Sequence, residues 1–245
     1  MGLNHGWRGP NIVRDGLVLY LDAGSPNSYQ GTGTTWKDIS KVNQNNGTLV
    51  NGPTFSSGNG GSIVFDGVDD YVNCGNASSL NFERTSSFSF CFWIYPTSFL
   101  SNGAIASKYD TSDKGWTIGI GVGGNGLISL ALRNTLITND FVVSIASSNS
   151  LLINNWYFIS ITYSGTSNTS GVSFYINGVK TTNNIITRDG LTQNISNTAN
   201  TLISGRLTND IYYTGRMFSF TAYNKVLTAS EILQNYNATK GRFGL

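Results

Sequence analysis

Three aspartates crowd one short stretch, GSIVFDGVDDYVNCG at residues 61–75: Asp66 precedes Gly67, and Asp69 and Asp70 follow Val68. Carboxylates so spaced can ligate a divalent cation, share acid–base chemistry, or hold a turn. Calcium takes six to eight oxygens, drawn from carboxylates and carbonyls on loops. Asn209 and Asp210, in GRLTNDIYYTG, are the candidate partners that would complete such a set across a rim. Hydrolysis of a glycosidic bond needs two carboxyls roughly 5–9.5 Å apart on either side of it. The neighbours Asp69 and Asp70 would point to opposite faces of a strand, so they make a poor pair. A turn needs less: Asp66-Gly67 supplies a positive-φ position and an acceptor for nearby backbone N–H groups. Turn-shaping is the favoured reading, with Ca2+ as the alternative.

Other chemistry has few residues to work with. The single histidine, His5, stands near the start of the chain, so no Ser-His-Asp or Cys-His set can form in the core. There are two glutamates, Glu83 before a strand and Glu231 at a helix cap. The Gly-rich GIGVGGNG (119–126) lies between strands, where a phosphate cradle would require a strand leading into a helix. The chain is therefore not expected to be an enzyme. Sugar binding relies instead on aromatic faces. Trp93 and Trp156 lie in strands and are expected in the core, whereas Trp116 and the pair Tyr212–Tyr213 follow loops and are the candidate carbohydrate platforms.

These residues must be positioned by strands. GLVLYLDA (16–23) is a continuous apolar run, and FSFCFWIYP (88–96) alternates with Phe88, Phe90, Phe92 and Ile94 on one face. WYFISITYSG puts Tyr157, Ile159, Ile161 and Tyr163 together, and VSFYINGVK carries an Asn177-Gly178 hairpin turn. AIASKYD, GWTIGIG, LISLALRN, TLISGR and GRMFSFTAYN add further strands. One helix is expected, opened by a Thr228/Glu231 capping box, with Ile232, Leu233 and Tyr236 as its apolar stripe and Gly241 as its stop. The predicted class is all-β, two antiparallel sheets packed face to face with a short C-terminal helix. Residues 1–14 are expected as an N-terminal arm, 15–240 as the domain and 241–245 as a C-terminal tail. Within the arm, Trp7 and Arg8 have the chemistry of an assembly contact on a neighbouring subunit.

Charged residues make up 11% of the 245 residues, against roughly 25% in an ordinary domain, and the net charge is +2. The lysines and arginines are scattered, so nucleic acid is excluded as a partner. No run reaches the ~18 apolar residues of a membrane span, and membrane insertion is excluded too. No apolar core of signal-peptide length follows Met1, so synthesis in a cytoplasm is expected. Cys74 and Cys91 are then expected as buried free thiols.

Four stretches in order resemble one superfamily: DGLVLYLDAG, GSIVFDGVDDYV, NNWYFISITYSG with VSFYINGVK, and YYTGRMFSFTAYNKVLTASEI. They are similar to the concanavalin A-like lectins and glucanases, in the laminin G-like branch. The resemblance implies a jelly-roll sandwich whose rim loops or concave sheet often bind glycans, sometimes with calcium. It departs in two places. The glucanases' Glu-x-Asp-x-x-Glu strand is missing, and Phe218 and Ser219 occupy positions that often hold an acidic pair in the closing strand. LVLYLDAG with GTGTTWKDIS and NNGTLVNGPTF resembles the version carried by virion proteins of tailed phages. The resulting expectation is a non-enzymatic virion surface protein, a capsid decoration or a tail or fibre element. Its expected partners are other virion subunits, a second copy of itself and cell-surface glycans. The alternative is a carbohydrate-binding module of a bacterial surface system; a glycoside hydrolase is disfavoured.

Overall fold

The computed structural model describes residues 11–42, 45–99, 103–121, 124–135, 140–146, 150–181, 184–206, 208 and 211–245. In chain order its strands are β1 (Leu17–Asp22), β2 (Thr35–Trp36), β3 (Gly47–Val50), β4 (Thr54–Ser56), β5 (Ser62–Asp66), β6 (Tyr71–Asn73), β7 (Phe88–Pro96), β8 (Gly103–Tyr109), β9 (Gly115–Ile120) and β10 (Ile128–Thr135). The second half adds β11 (Asp140–Ala146), β12 (Tyr157–Tyr163), β13 (Val172–Ile176), β14 (Val179–Lys180), β15 (Asn184–Gly190), β16 (Thr201–Ile203), β17 (Gly205–Arg206), β18 (Ile211–Tyr212) and β19 (Thr214–Tyr223). One sheet has the order β14-β13-β12-β7-β19-β5-β4, with β1 also paired to β19. The other runs β15-β11-β10-β9-β8-β16-β6-β3-β2, and every pairing is antiparallel. This is the expected sandwich.

Period-two alternation builds its core. Phe88, Phe90, Phe92 and Ile94 of β7 face the opposite sheet, as do Ile159, Ile161 and Tyr163 of β12. They meet Ile118, Ile120, Leu130 and Leu132 from the second sheet, with Phe90 and Trp116 ring centroids 4.8 Å apart. Asn177 and Gly178 close β13 onto β14 with φ of 52° and 81°, the pair of positive values that a two-residue hairpin of this hand demands.

The outer face of the first sheet is covered as well. Cys91 and Trp93, alternate residues of β7, face away from the main core into a second apolar cluster under helix α1 (Ala229–Thr239). The capping box is present: Thr228 accepts from the Glu231 backbone, and Glu231 accepts from the Thr228 backbone. The apolar stripe is corrected. Ile232 is buried, but Leu233 is 46% exposed and Asn235 and Thr239 take the buried positions, because they serve as hydrogen-bonding partners there. Trp93 Nε1 donates to Thr239 Oγ1 at 2.7 Å, and Asn235 Nδ2 donates to Tyr223 Oη at 3.0 Å. Gly241 does not stop the chain's winding. A 3₁₀ turn, Lys240–Phe243, follows and lays Phe243 on Trp93 with centroids 4.2 Å apart. Within the expected tail, 241–245, Phe243 is thus packed against the outer cluster. Residues 11–14, expected within the arm, also join the fold: Val13 is buried, and its N–H donates to Asn235 Oδ1.

The two cysteines are free and buried on opposite sides of the first sheet, Cys74 in the main core and Cys91 in the outer cluster. No helix among the described residues is long and apolar enough to cross a membrane.

Lys108 of β8 is 0% exposed, and its Nζ donates to Asn76 Oδ1 and the Ala199 carbonyl, tying two rim loops together. Burial pulls its pKa down to about 8 from 10.5. From about pH 8 upward the unfolded chain keeps a proton that the folded chain has released, so this group adds stability as pH rises. The buried thiols work against it from about pH 8 upward, where their unfolded counterparts begin to ionise, since burial pushes Cys74 up to about 12 and Cys91 up to about 11. Between pH 8 and 9 the urea midpoint of the native chain is therefore expected to hold up better than that of Lys108→Met, which lacks the lysine's contribution and keeps the thiols' loss. A native midpoint that fell as steeply as the variant's would contradict this assignment.

Candidate functional site

The three aspartates meet at the β5–β6 turn, with one carboxylate oxygen of each inside a 4.8 Å cluster. Their bonds are those of a turn. Asp66 Oδ1 accepts from the Val68 N–H at 2.8 Å, and Asp70 Oδ2 accepts from the Asp66 N–H at 3.1 Å. Gly67 between them has φ +79°. Asp70 is buried, and desolvation raises its carboxyl above the usual range; the Asp66 N–H opposes this, while the charges of Asp66 and Asp69 add to it. Two of the oxygens a cation would need are already committed to the backbone. Asn209 and Asp210 lie outside the described residues, as do Trp7 and Arg8. Among the described residues the set falls short of a calcium shell.

The aromatic platforms are corrected by their burial. Trp116 is 1% exposed; its ring lies against Phe90 and Phe82, and its Nε1 donates to the Leu80 carbonyl at 3.0 Å. Tyr213 is 0% exposed, and its hydroxyl donates to the Arg216 carbonyl. Tyr212 is 7% exposed, on β18. None of the three presents a free ring face to a sugar: Trp116 and Tyr213 lie in the main core, and Tyr212 is buried beside Gly205 on the small β17–β18 ribbon.

A different place has the shape of a binding site. Tyr20 and Asp22, two apart on β1, share the outer face of the first sheet and form one wall of a polar cleft of about 880 Å³. Segment 24–42, with Asn46, forms the opposite wall. Backbone bonds from Lys37 N–H to Ser28 O and from Ile39 N–H to Tyr20 O hold it there. Asp38 fastens it further. Its Oδ1 accepts from the Tyr20 and Ser40 N–H groups at 3.0 and 2.9 Å, and its Oδ2 accepts from the Asn45 N–H. Asp22, 2% exposed, accepts from Tyr20 Oη at 2.8 Å, from the Gly24 N–H at 2.9 Å and from Arg242 Nη1 at 3.3 Å. Burial, then the charge and hydrogen bond of Asp22, hold the Tyr20 phenol far above its ordinary pKa, so it stays a neutral donor. Arg242 arrives from the C-terminal 3₁₀ turn and lies over the Phe218 ring, and Arg14 lies over that of Tyr20. Lys37, Lys41 and Asn27 complete the rim.

The two glutamates serve the fold. Glu83 Oε1 accepts from the Arg84 and Ile195 backbone, and Glu231 caps α1 and pairs with Lys225.

Sequence reasoning did not find Tyr20, Asp22, Asp38 or Arg242 as site residues. One signal was available: Asp22 ends an otherwise apolar buried strand, and a buried carboxylate must be met by donors. That its cation would be Arg242, 220 positions away, has no trace in local pattern.

Comparison with known proteins agrees with the architecture. A laminin G-type family model, described as concanavalin A-like lectin/glucanases superfamily, matches residues 65–233. No curated protein matches the sequence. The fold is similar to the binding domain of Paraclostridial Mosquitocidal Protein 1, with a TM-score of 0.68 and 20% identity over 92% of this chain and 52% of that one. A botulinum neurotoxin type C structure gives a TM-score of 0.63 at 17% identity, covering 93% of this chain and 52% of the other. Trypanosoma rangeli sialidase matches with a TM-score of 0.59 at 13% identity, over 93% of this chain and 33% of the enzyme. The chain thus spans about half the length of the toxin structures it resembles, and the likeness is one of fold.

Proposed function

The chain belongs to the concanavalin A-like lectin/glucanases superfamily, and from that premise we propose that it is a non-enzymatic glycan-binding module whose site is the Tyr20–Asp22 cleft. The cleft carries this reading. Its volume, about 880 Å³, lies within the range of roughly 300–1,000 Å³ typical of small-ligand sites. Its walls offer the hydroxyl, amide and charged groups that recognise sugar hydroxyls. The fold neighbours lend support: botulinum neurotoxin type C depends on interaction with two ganglioside molecules to enter cells.

Binding without hydrolysis follows from the state of the carboxylates. Asp22 and Asp38 are the two in the cleft, and both are held by donors from their own fold. A hydrolase needs one carboxyl free to give a proton and another free to attack or to activate water. The setting we propose is the surface of a tailed-phage particle, with other virion subunits as partners. The likeness of LVLYLDAG, GTGTTWKDIS and NNGTLVNGPTF to virion versions of the domain supports that setting.

A glycan array probed with the full chain tests the site. The native chain is expected to retain a defined subset of glycans without cleaving them. Asn27→Trp, a plug at an exposed position on the rim, is expected to weaken retention at least about tenfold, or 1.4 kcal/mol, at an unchanged melting temperature. An empty array, or retention indifferent to Asn27→Trp, would overturn the proposal.

A further inference from the structure

The charges lining the cleft are unequal in number and in commitment. Four cationic side chains line it, Arg14, Lys37, Lys41 and Arg242, against the carboxylates of Asp22 and Asp38. Both carboxylates are spent. Asp38 accepts three backbone N–H bonds, and Asp22 is shared among Tyr20, Gly24 and Arg242. On the other side, Arg14, Lys37 and Lys41 are exposed and form no ion pair among the described residues. In a chain where charge is sparse, three uncommitted cations converge on the mouth of one concave site.

A concave surface lined by an excess of one sign of charge focuses potential of that sign. Neutral sugars gain little from that field. An anionic group gains a great deal, above all from a guanidinium fork that can bind a carboxylate, sulfate or phosphate through two parallel N–H bonds. Arg14 is pre-oriented for this by its seat over Tyr20, with the guanidinium carbon 5.5 Å from the ring centroid. Lys37 and Lys41 supply mobile point charges beside it.

We propose that the cleft selects glycans bearing an anionic group, with Arg14, Lys37 and Lys41 as the groups that receive it. This rests on the cleft being a glycan site, and the test separates the two claims. The full chain is applied to an array holding neutral, carboxylated, sulfated and phosphorylated versions of the same backbones, at low and at physiological salt. At least one anionic class is expected to be retained about tenfold or more above its neutral counterparts, a difference of about 1.4 kcal/mol. That preference should shrink as salt rises and should vanish in the Arg14→Glu, Lys37→Glu, Lys41→Glu triple variant. All three positions are exposed, and an unchanged melting temperature confirms that the variant is folded. The class retained identifies the anionic group. Equal retention of neutral and anionic versions, lost with Asn27→Trp, would sink the charge inference and leave the glycan site standing. An anionic preference that survives the triple variant would also sink it, by placing the anion elsewhere. Retention of no class would remove both.

Discussion

Trp116→Ala is expected to lower stability by about 4 kcal/mol, the cost of deleting a large buried aromatic together with the cavity it leaves. The side chain is 1% exposed, its ring lies 4.8 Å from Phe90 between centroids, and its indole N–H bonds the Leu80 carbonyl. Alanine would forfeit those contacts and orphan a buried acceptor. In a domain of this size the melting temperature should fall by about 8–16 °C. Glycan retention by the fraction that stays folded should be unchanged, because the residue lies away from the cleft. A sugar platform would show the reverse, with retention lost and stability barely moved. Thermal unfolding and array binding on one preparation distinguish the two roles, and the reverse pattern would return Trp116 to the ligand.

Gly67→Val is expected to cost about 3 kcal/mol, from backbone strain and overpacking acting together. The position has φ +79°, which a β-branched residue tolerates poorly. Space is the second cost: a Cβ there would sit 1.8 Å from Thr214 Oγ1 and 2.9 Å from Thr214 Cβ. Thr214 opens β19 and pairs directly with Asp66, so it cannot retreat without breaking the β5–β19 ladder. Gly75 separates the two costs. Its φ is +67°, but a Cβ there would meet nothing within 4 Å. Gly75→Val should therefore cost only the strain, about 1–2 kcal/mol. Equal losses for the two variants in urea unfolding would show that the Thr214 contact relaxes freely and that the turn is less constrained than its geometry indicates.

These two experiments bear on the pair of places where sequence chemistry pointed most strongly, and the pair came out differently. The aspartate cluster is a turn, as local pattern favours: an Asp-Gly step between two strands leaves few other conformations open, and Asp66 and Asp70 each accept from an N–H within four residues. The aromatic platforms failed for an equally physical reason. A tryptophan after a loop is one residue from pointing inward or outward, and only the register of β9 against β8, Trp116 opposite Lys108, decides which.

What the amino-acid order determined by itself is whatever depends on near neighbours. Alternating Phe residues in β7, the apolar run of β1, the Asn-Gly hairpin and the Thr228/Glu231 cap each encode an element through contacts a few positions long. Together they sufficed for an all-β sandwich with one terminal helix. The dearth of histidine and glutamate likewise disfavoured catalysis before any coordinates. The cleft was beyond reach of such reasoning. It needs β1 to sit at one side of β19, the segment 24–42 to be fastened over it through Asp38, and the chain's last turn to bring Arg242 onto Asp22. Asn235 takes a buried place on α1 and Leu233 an exposed one for the same reason, since the surface beneath the helix offers Tyr223 of β19 and the N–H of Val13, ahead of β1, as hydrogen-bonding partners. Local pattern records which side chains avoid water. Which polar groups then meet inside is a property of long-range packing, and only the tertiary structure decides it.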